Sequence, residues 1–156
     1  MSVAGAIVGG IVDSSGVVDG GTTESTGTLR YERITNGGFA NGSSWTITNV
    51  AWSIAAGIAT AIECASLGLL RQDFTSVASG RTVAVTLSVG TNSTADTLTI
   101  KFTSAGIPVQ TIYSAIPSSS SQISLSVAAS SAFDGITFST GSLSSAITID
   151  NVSVIA

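Results

Sequence analysis

The chain contains no histidine and only one cysteine. Without histidine it lacks the side chain that most often acts as a general base near neutral pH and most often ligates metals. The single cysteine, Cys64, excludes an intrachain disulfide framework and a cysteine-based zinc site. It lies in the apolar stretch Ala61-Ile62-Glu63-Cys64-Ala65, where a small buried hydrophobe is the simpler reading. A reactive thiol would want a basic neighbour, and Glu63 is the opposite. Charge is scarce too: Asp, Glu, Lys and Arg make up 9% of the 156 residues, against roughly 25% in an ordinary soluble domain. The five basic residues, Arg30, Arg33, Arg71, Arg81 and Lys101, are scattered, and the net charge is −4. No basic stripe exists to follow a phosphate backbone, so nucleic acid is not an expected partner.

Long hydrophobic runs are missing as well. The apolar stretch from Met1 to Val12 ends at Asp13, short of the roughly 20 residues a membrane helix needs. No Lys or Arg precedes Arg30, so the positive start of a secretory signal is absent. Neither a membrane span nor a signal is expected.

Serine and threonine are abundant instead, 27 and 20 residues respectively. Hydroxyls therefore replace charges as the polar surface. That composition suits β-strands and turns and is poor for surface helices. With 44% hydrophobic residues the chain is also too apolar to stay disordered.

Two zones follow. Residues 1–29 hold no aromatic residue and seven glycines, with apolar pairs at Ile7-Val8, Ile11-Val12 and Val17-Val18. This zone has too few large side chains for a core of its own. We expect an extended N-terminal arm, able to reach on the order of 95 Å when straight, whose apolar pairs order on a neighbouring subunit or shell. The plainer alternative is a flexible tail. Residues 30–156 read as one domain of about ten short strands. Val83, Val85, Leu87 and Val89 alternate with hydroxyl residues, and so do Leu98, Ile100 and Phe102. Period-two alternation marks half-buried strands. Turn signals such as Asn36-Gly37-Gly38 and Asn41-Gly42 separate the runs. The expected fold is an all-β, antiparallel jelly-roll β-sandwich. Its core should include Val83, Val85, Leu87, Leu98, Ile100, Phe102, Ile149 and Val152.

Three segments carry more than composition: Ile34-Thr35-Asn36-Gly37-Gly38-Phe39 followed by Gly42-Ser43-Ser44-Trp45, then Gly80-Arg81-Thr82-Val83-Ala84-Val85, and finally Ile147-Thr148-Ile149-Asp150-Asn151-Val152. Their order resembles the galactose-binding-like jelly rolls of the family 4/9 carbohydrate-binding modules, over about residues 34–154. The match departs at Val83, where the family often has tyrosine. The sugar-binding face of relatives carries aromatics and charges, whereas the central region here reads as Thr, Ser and Ala. The same jelly roll serves phage virions in capsid decoration (cement) and tail-associated proteins. A charge-poor chain with an apolar arm looks more like that use.

Trp45 and Trp52 are the candidate glycan platforms, since an aromatic face packs on a pyranose ring; core packing is the competing and preferred reading. Through the resemblance, Asp150 falls where a calcium ion often sits near the chain ends. Calcium needs six to eight oxygens, several from carboxylates, and the nine acids are spread out, so a structural role for Asp150 is preferred. Glu32 and Glu63 could in principle form a glycosidase pair, but no other polar constellation supports them. No phosphate loop follows the glycine pairs. The chain is therefore not expected to be an enzyme, nor to need a cofactor. The primary expectation is a structural virion protein located on the capsid surface. It would be a homotrimer that binds the major capsid protein, or another virion protein, through Ile7, Val8, Ile11, Val12, Val17, Val18, Arg30 and Arg33. The alternative is a carbohydrate-binding module, free or on a phage tail or fibre.

Overall fold

The computed structural model describes residues 22–23, 29–48, 52–61, 68–91, 96–118, 120–141 and 146–156. Strands and turns, without helix, make up these residues, and none forms a helix long and apolar enough to cross a membrane. The strands are β1 (Thr22–Thr23), β2 (Leu29–Arg30), β3 (Thr46–Thr48), β4 (Trp52–Ala55), β5 (Ile58–Ala61), β6 (Leu69–Val77), β7 (Thr82–Thr91), β8 (Leu98–Ser104), β9 (Ile107–Ala115), β10 (Ser121–Ala128), β11 (Phe133–Thr140) and β12 (Ile147–Ile155).

Ten strands form two antiparallel five-stranded sheets, in the orders β10-β7-β12-β5-β4 and β3-β6-β11-β8-β9. We call these the first and second sheets. From β5 onward the chain crosses between them repeatedly, which is the jelly-roll path. The short pair β1 and β2 stands apart. Residues 7–18, which hold the apolar pairs expected of the arm, lie outside the described residues, as do Glu63 and Cys64.

The alternation seen in the sequence is what closes the sandwich. Val83, Val85 and Leu87 of β7 and Leu98, Ile100 and Phe102 of β8 are fully buried, with Ile149 and Val152 beside them. Aromatic residues pack on one another within the core. Phe102 stacks on Phe133 at 4.0 Å between centroids, and Phe74 meets Phe133 edge-on at 5.8 Å. Both hairpin turns that demand left-handed backbone carry it: Ala56-Gly57 between β4 and β5, and Ala105-Gly106 between β8 and β9, each with positive φ at both residues. That is the geometry of a two-residue turn matched to strand twist.

The loop before β3 is a built element. The side chain of Asn36 donates to the carbonyl of Asn41 at 2.7 Å and accepts from the amide of Ala40 at 2.8 Å. Val152 donates its amide to the carbonyl of Gly37 at 3.0 Å, which seats the loop on β12. A Cβ at Gly37 would lie 1.9 Å from the carbonyl oxygen of Val152, so this close approach requires glycine. Gln72, buried on β6, exchanges two 2.7 Å bonds with the backbone of Thr35.

Candidate functional site

Each sheet turns one face to the core and the other to solvent. The outer face of the first sheet is mostly hydroxyl and amide, with Ile58 of β5 exposed at its groove. Gln122, Ser88 and Asp150 share one row across β10, β7 and β12, and Ser124, Thr86 and Ser153 share another. A groove of about 520 Å³ runs over Ser88, Gly90, Gln122, Thr148 and Asp150. A Cβ at Gly90 would sit 2.5 Å from the hydroxyl of Thr148, which instead donates to the Gly90 carbonyl at 3.1 Å. Local packing thus accounts for that glycine.

The outer face of the second sheet is different. Register places three rows across β6, β11 and β8: Leu69–Ser139–Thr99, Arg71–Thr137–Lys101 and Asp73–Gly135–Thr103. On the edges, β3 adds Thr48 and Thr46 to the first two rows, and β9 adds Ser114 and Thr111. Two of the five basic residues of the chain thus flank one threonine on a single face. Thr137 is only 4% exposed although it belongs to the outer rows. A second groove, of about 370 Å³, lies over Leu69, Thr99, Lys101 and Ser139.

Arg71 is held rigidly. Its Nε and Nη2 donate to the two carboxylate oxygens of Asp73, each at 2.7 Å. Such a planar two-bond fork fixes direction as well as distance. Its other face lies against the β8–β9 turn, where a Cβ on Gly106 would fall 2.1 Å from Nη1. That turn is fixed in its place because Asp134 accepts the amide of Ala105 with both oxygens, at 2.9 and 3.2 Å.

The residues singled out from sequence fall elsewhere. Trp45 is 7% and Trp52 4% exposed. Trp45 packs between Phe39 and Phe138 and donates its ring N–H to the carbonyl of Asn36 at 3.0 Å. Trp52 donates to the carbonyl of Gly68 at 3.2 Å. Both indoles occupy the core, so neither presents a ring face on the outer rows of either sheet.

Asp150 accepts the backbone amide of Asn151 at 2.6 Å and its side-chain amide at 3.1 Å. Among the described residues no three His, Cys, Asp or Glu side chains gather as a metal site. Glu32 spends its carboxylate on the amides of Arg33, Ile34 and Val154 and on the Ser153 hydroxyl. It fastens the N-terminal segment to β12. Arg33 donates to the carbonyl of Ala156 at 3.3 Å and lies over the Tyr31 ring, and Arg30 ends β2.

Reading the central region as Thr, Ser and Ala missed Arg71, Asp73 and Lys101. Their outward phase within β6 and β8 was a usable signal. Their proximity was not, because β11 joins those two strands from far along the chain.

No family model and no curated protein matches the chain. Solved structures do. A mutant of a family 29 carbohydrate-binding module aligns with TM-score 0.59 and 14% identity, over 83% of this chain and 92% of that one. A family 4 carbohydrate-binding module aligns with TM-score 0.54 and 16% identity, over 72% and 94%. The enzymatically active domain of tailspike protein 4 from bacteriophage CBA120 aligns with TM-score 0.53 and 16% identity, over 79% of this chain. The chain spans only 21% of that tailspike. The fold is therefore the jelly roll of carbohydrate-binding modules, which also occurs within a phage tailspike.

Proposed function

We propose that the chain is a non-catalytic carbohydrate-binding module that lays a glycan across the outer face of its second sheet. The observation that carries this reading is the row Arg71–Thr137–Lys101. In a chain with so few charges, Arg71, held by Asp73, and Lys101 stand on one strip with a groove beside it. Sugars are recognised by polar side chains of fixed direction together with some apolar contact. Leu69, 36% exposed, supplies such contact at one end of the strip. No aromatic residue lies on the three rows, so hydrogen bonds must carry the affinity, and the binding should be weak. The test is a glycan array probed with the full chain, followed by titration of the best ligand into Arg71→Ala and Lys101→Ala variants. Retention of full affinity by both variants would place the glycan elsewhere or nowhere.

A second reading is a structural virion protein, a decoration or cement protein trimer bound to the major capsid protein. It is favoured by the repeated Val and Ile pairs of residues 7–18, which suit an arm that adds to a neighbour's sheet edge. Deleting residues 1–28 and measuring oligomer formation and binding to the shell separates the two. Loss of assembly with glycan binding intact supports both roles in one protein. An unchanged truncation leaves only the module.

A further inference from the structure

We infer that β10 is a self-association edge: it pairs antiparallel with β10 of a second copy of this chain and joins two first sheets into one. Among the described residues, β10 has a neighbour only on its β7 side. An open strand edge offers N–H and C=O groups to another chain, and proteins usually blunt such edges with short length, proline, charge or bulges. The sandwich has four edge strands, and three are blunted. β3 has three residues and β4 four. β9 carries Pro108 and shifts register twice against β8. β10 has eight residues with no proline and no charge, and its register with β7 is unbroken.

Alternate residues of an antiparallel strand direct their backbone groups to opposite sides. Ala129, just past the end of β10, bonds to the backbone of Arg81 and Gly80 on the β7 side. The carbonyl of Ala128 instead accepts from the Gln110 side chain of β9 at 3.1 Å. Gln122, Ser124 and Ser126 share the phase of Ala128, so their backbone groups point away from β7. A two-fold axis at Ser124 sets that residue against its own copy and Gln122 against the partner's Ser126. All three then exchange backbone bonds. Ile123 falls opposite the partner's Leu125 in the closer, non-hydrogen-bonded pairing. Leu125 is only half-buried at the margin of the core, so the pairing covers it.

Charge selects a second copy as the occupant. Each copy carries a net charge of −4, so two copies meet best where neither is charged. β10 has no charged residue, and neither has β7 behind it. On the outer face the pairing sets serine against serine and Gln122 against serine, neutral groups that hydrogen-bond to one another. A two-fold contact must be self-complementary, and this edge is. The proposed glycan strip lies on the other sheet, so failure here leaves it untouched.

The experiment is sedimentation of the full chain from low to high micromolar concentration, with hydrogen exchange followed at both extremes. The expected result is a reversible dimer, with slower exchange at the amides of Gln122, Ser124 and Ser126 at high concentration. Ser124→Lys changes an exposed residue and sets like charges face to face, so it should weaken the dimer at least about tenfold. Ser126→Pro removes an N–H that β7 does not use, so the monomer should fold and the dimer should weaken by a similar factor. If the proline variant melts low, Ser124→Lys decides alone. A chain that is monomeric at every concentration overturns the inference. So does a dimer that Ser124→Lys does not weaken, or a trimer that is lost only on deleting residues 1–28.

Discussion

Replacing Trp45 with phenylalanine tests whether this indole is a core element or a sugar platform. The substitution removes the bond from the ring N–H to the carbonyl of Asn36. That carbonyl keeps a second donor, the amide of Phe39 at 3.1 Å, so no acceptor is orphaned. The loss is then that of an ordinary hydrogen bond, about 1 kcal/mol. The missing ring also leaves space between Phe39 and Phe138, whose centroids lie 4.9 and 6.0 Å from that of Trp45. Partial collapse of a one-ring cavity costs about 1–2 kcal/mol more. The total is about 2–3 kcal/mol, which in a chain of this size lowers the melting temperature by about 5–10 °C. Urea unfolding should show a lower midpoint with unchanged slope. Glycan affinity, measured well below the melting temperature, should match that of the parent chain. A variant of unchanged stability that loses glycan binding would refute the core assignment and restore the indole as the platform.

Two other changes probe how the chain ends are joined to the sandwich. Gly37→Ala pushes a Cβ to 1.9 Å from a backbone oxygen of β12, a clash no rotamer relieves; a loss of about 2–4 kcal/mol is expected in thermal unfolding. Glu32→Ala strips the acceptor from the amides of Arg33, Ile34 and Val154. Because Glu32 is exposed and water replaces part of that, the expected cost is about 1–2 kcal/mol. Hydrogen exchange should quicken at Ile34 and Val154, and unchanged protection there would show that the carboxylate is not the fastener.

Much of the sandwich was legible because period-two alternation is a local signal. Val83 to Val89 and Leu98 to Phe102 announce which side is buried without knowledge of any partner strand, and every core residue expected from sequence is buried. Strand β10 alternates in the same way, and from Ser121 to Ala128 it pairs with β7 in unbroken register. The irregular edge strand β9 was harder to read. Its register shifts twice against β8, so inward and outward positions exchange along it and the alternation breaks. The site was hardest, since Arg71 and Lys101 come from strands that touch only through β11. Gly135 reads as a weak point in a strand until register sets it between Thr103 and Asp73.

Both outer faces are rich in hydroxyls, so hydroxyl content cannot decide where a glycan would bind. Serine and threonine hydroxyls rotate freely and are satisfied by water, which makes a face of them permissive and weak. Selectivity needs groups whose directions are fixed before the ligand arrives, since ordering them on binding costs affinity. On the first sheet the groove holds a single charged side chain, Asp150, directed by two bonds from its neighbour Asn151 and set among hydroxyls, an amide and aliphatic groups. On the second, the forked bonds between Arg71 and Asp73 lock two planar groups, and the Gly106 turn closes the guanidinium from the far side. Lys101 follows one strand beyond Thr137 as a mobile point charge that reaches further along the strip. Rigid groups at one end and an adaptable one beside them suit a ligand whose first unit is read closely and whose later units are held loosely. Affinity for oligosaccharides should therefore depend on the identity of one unit and rise only gradually with length.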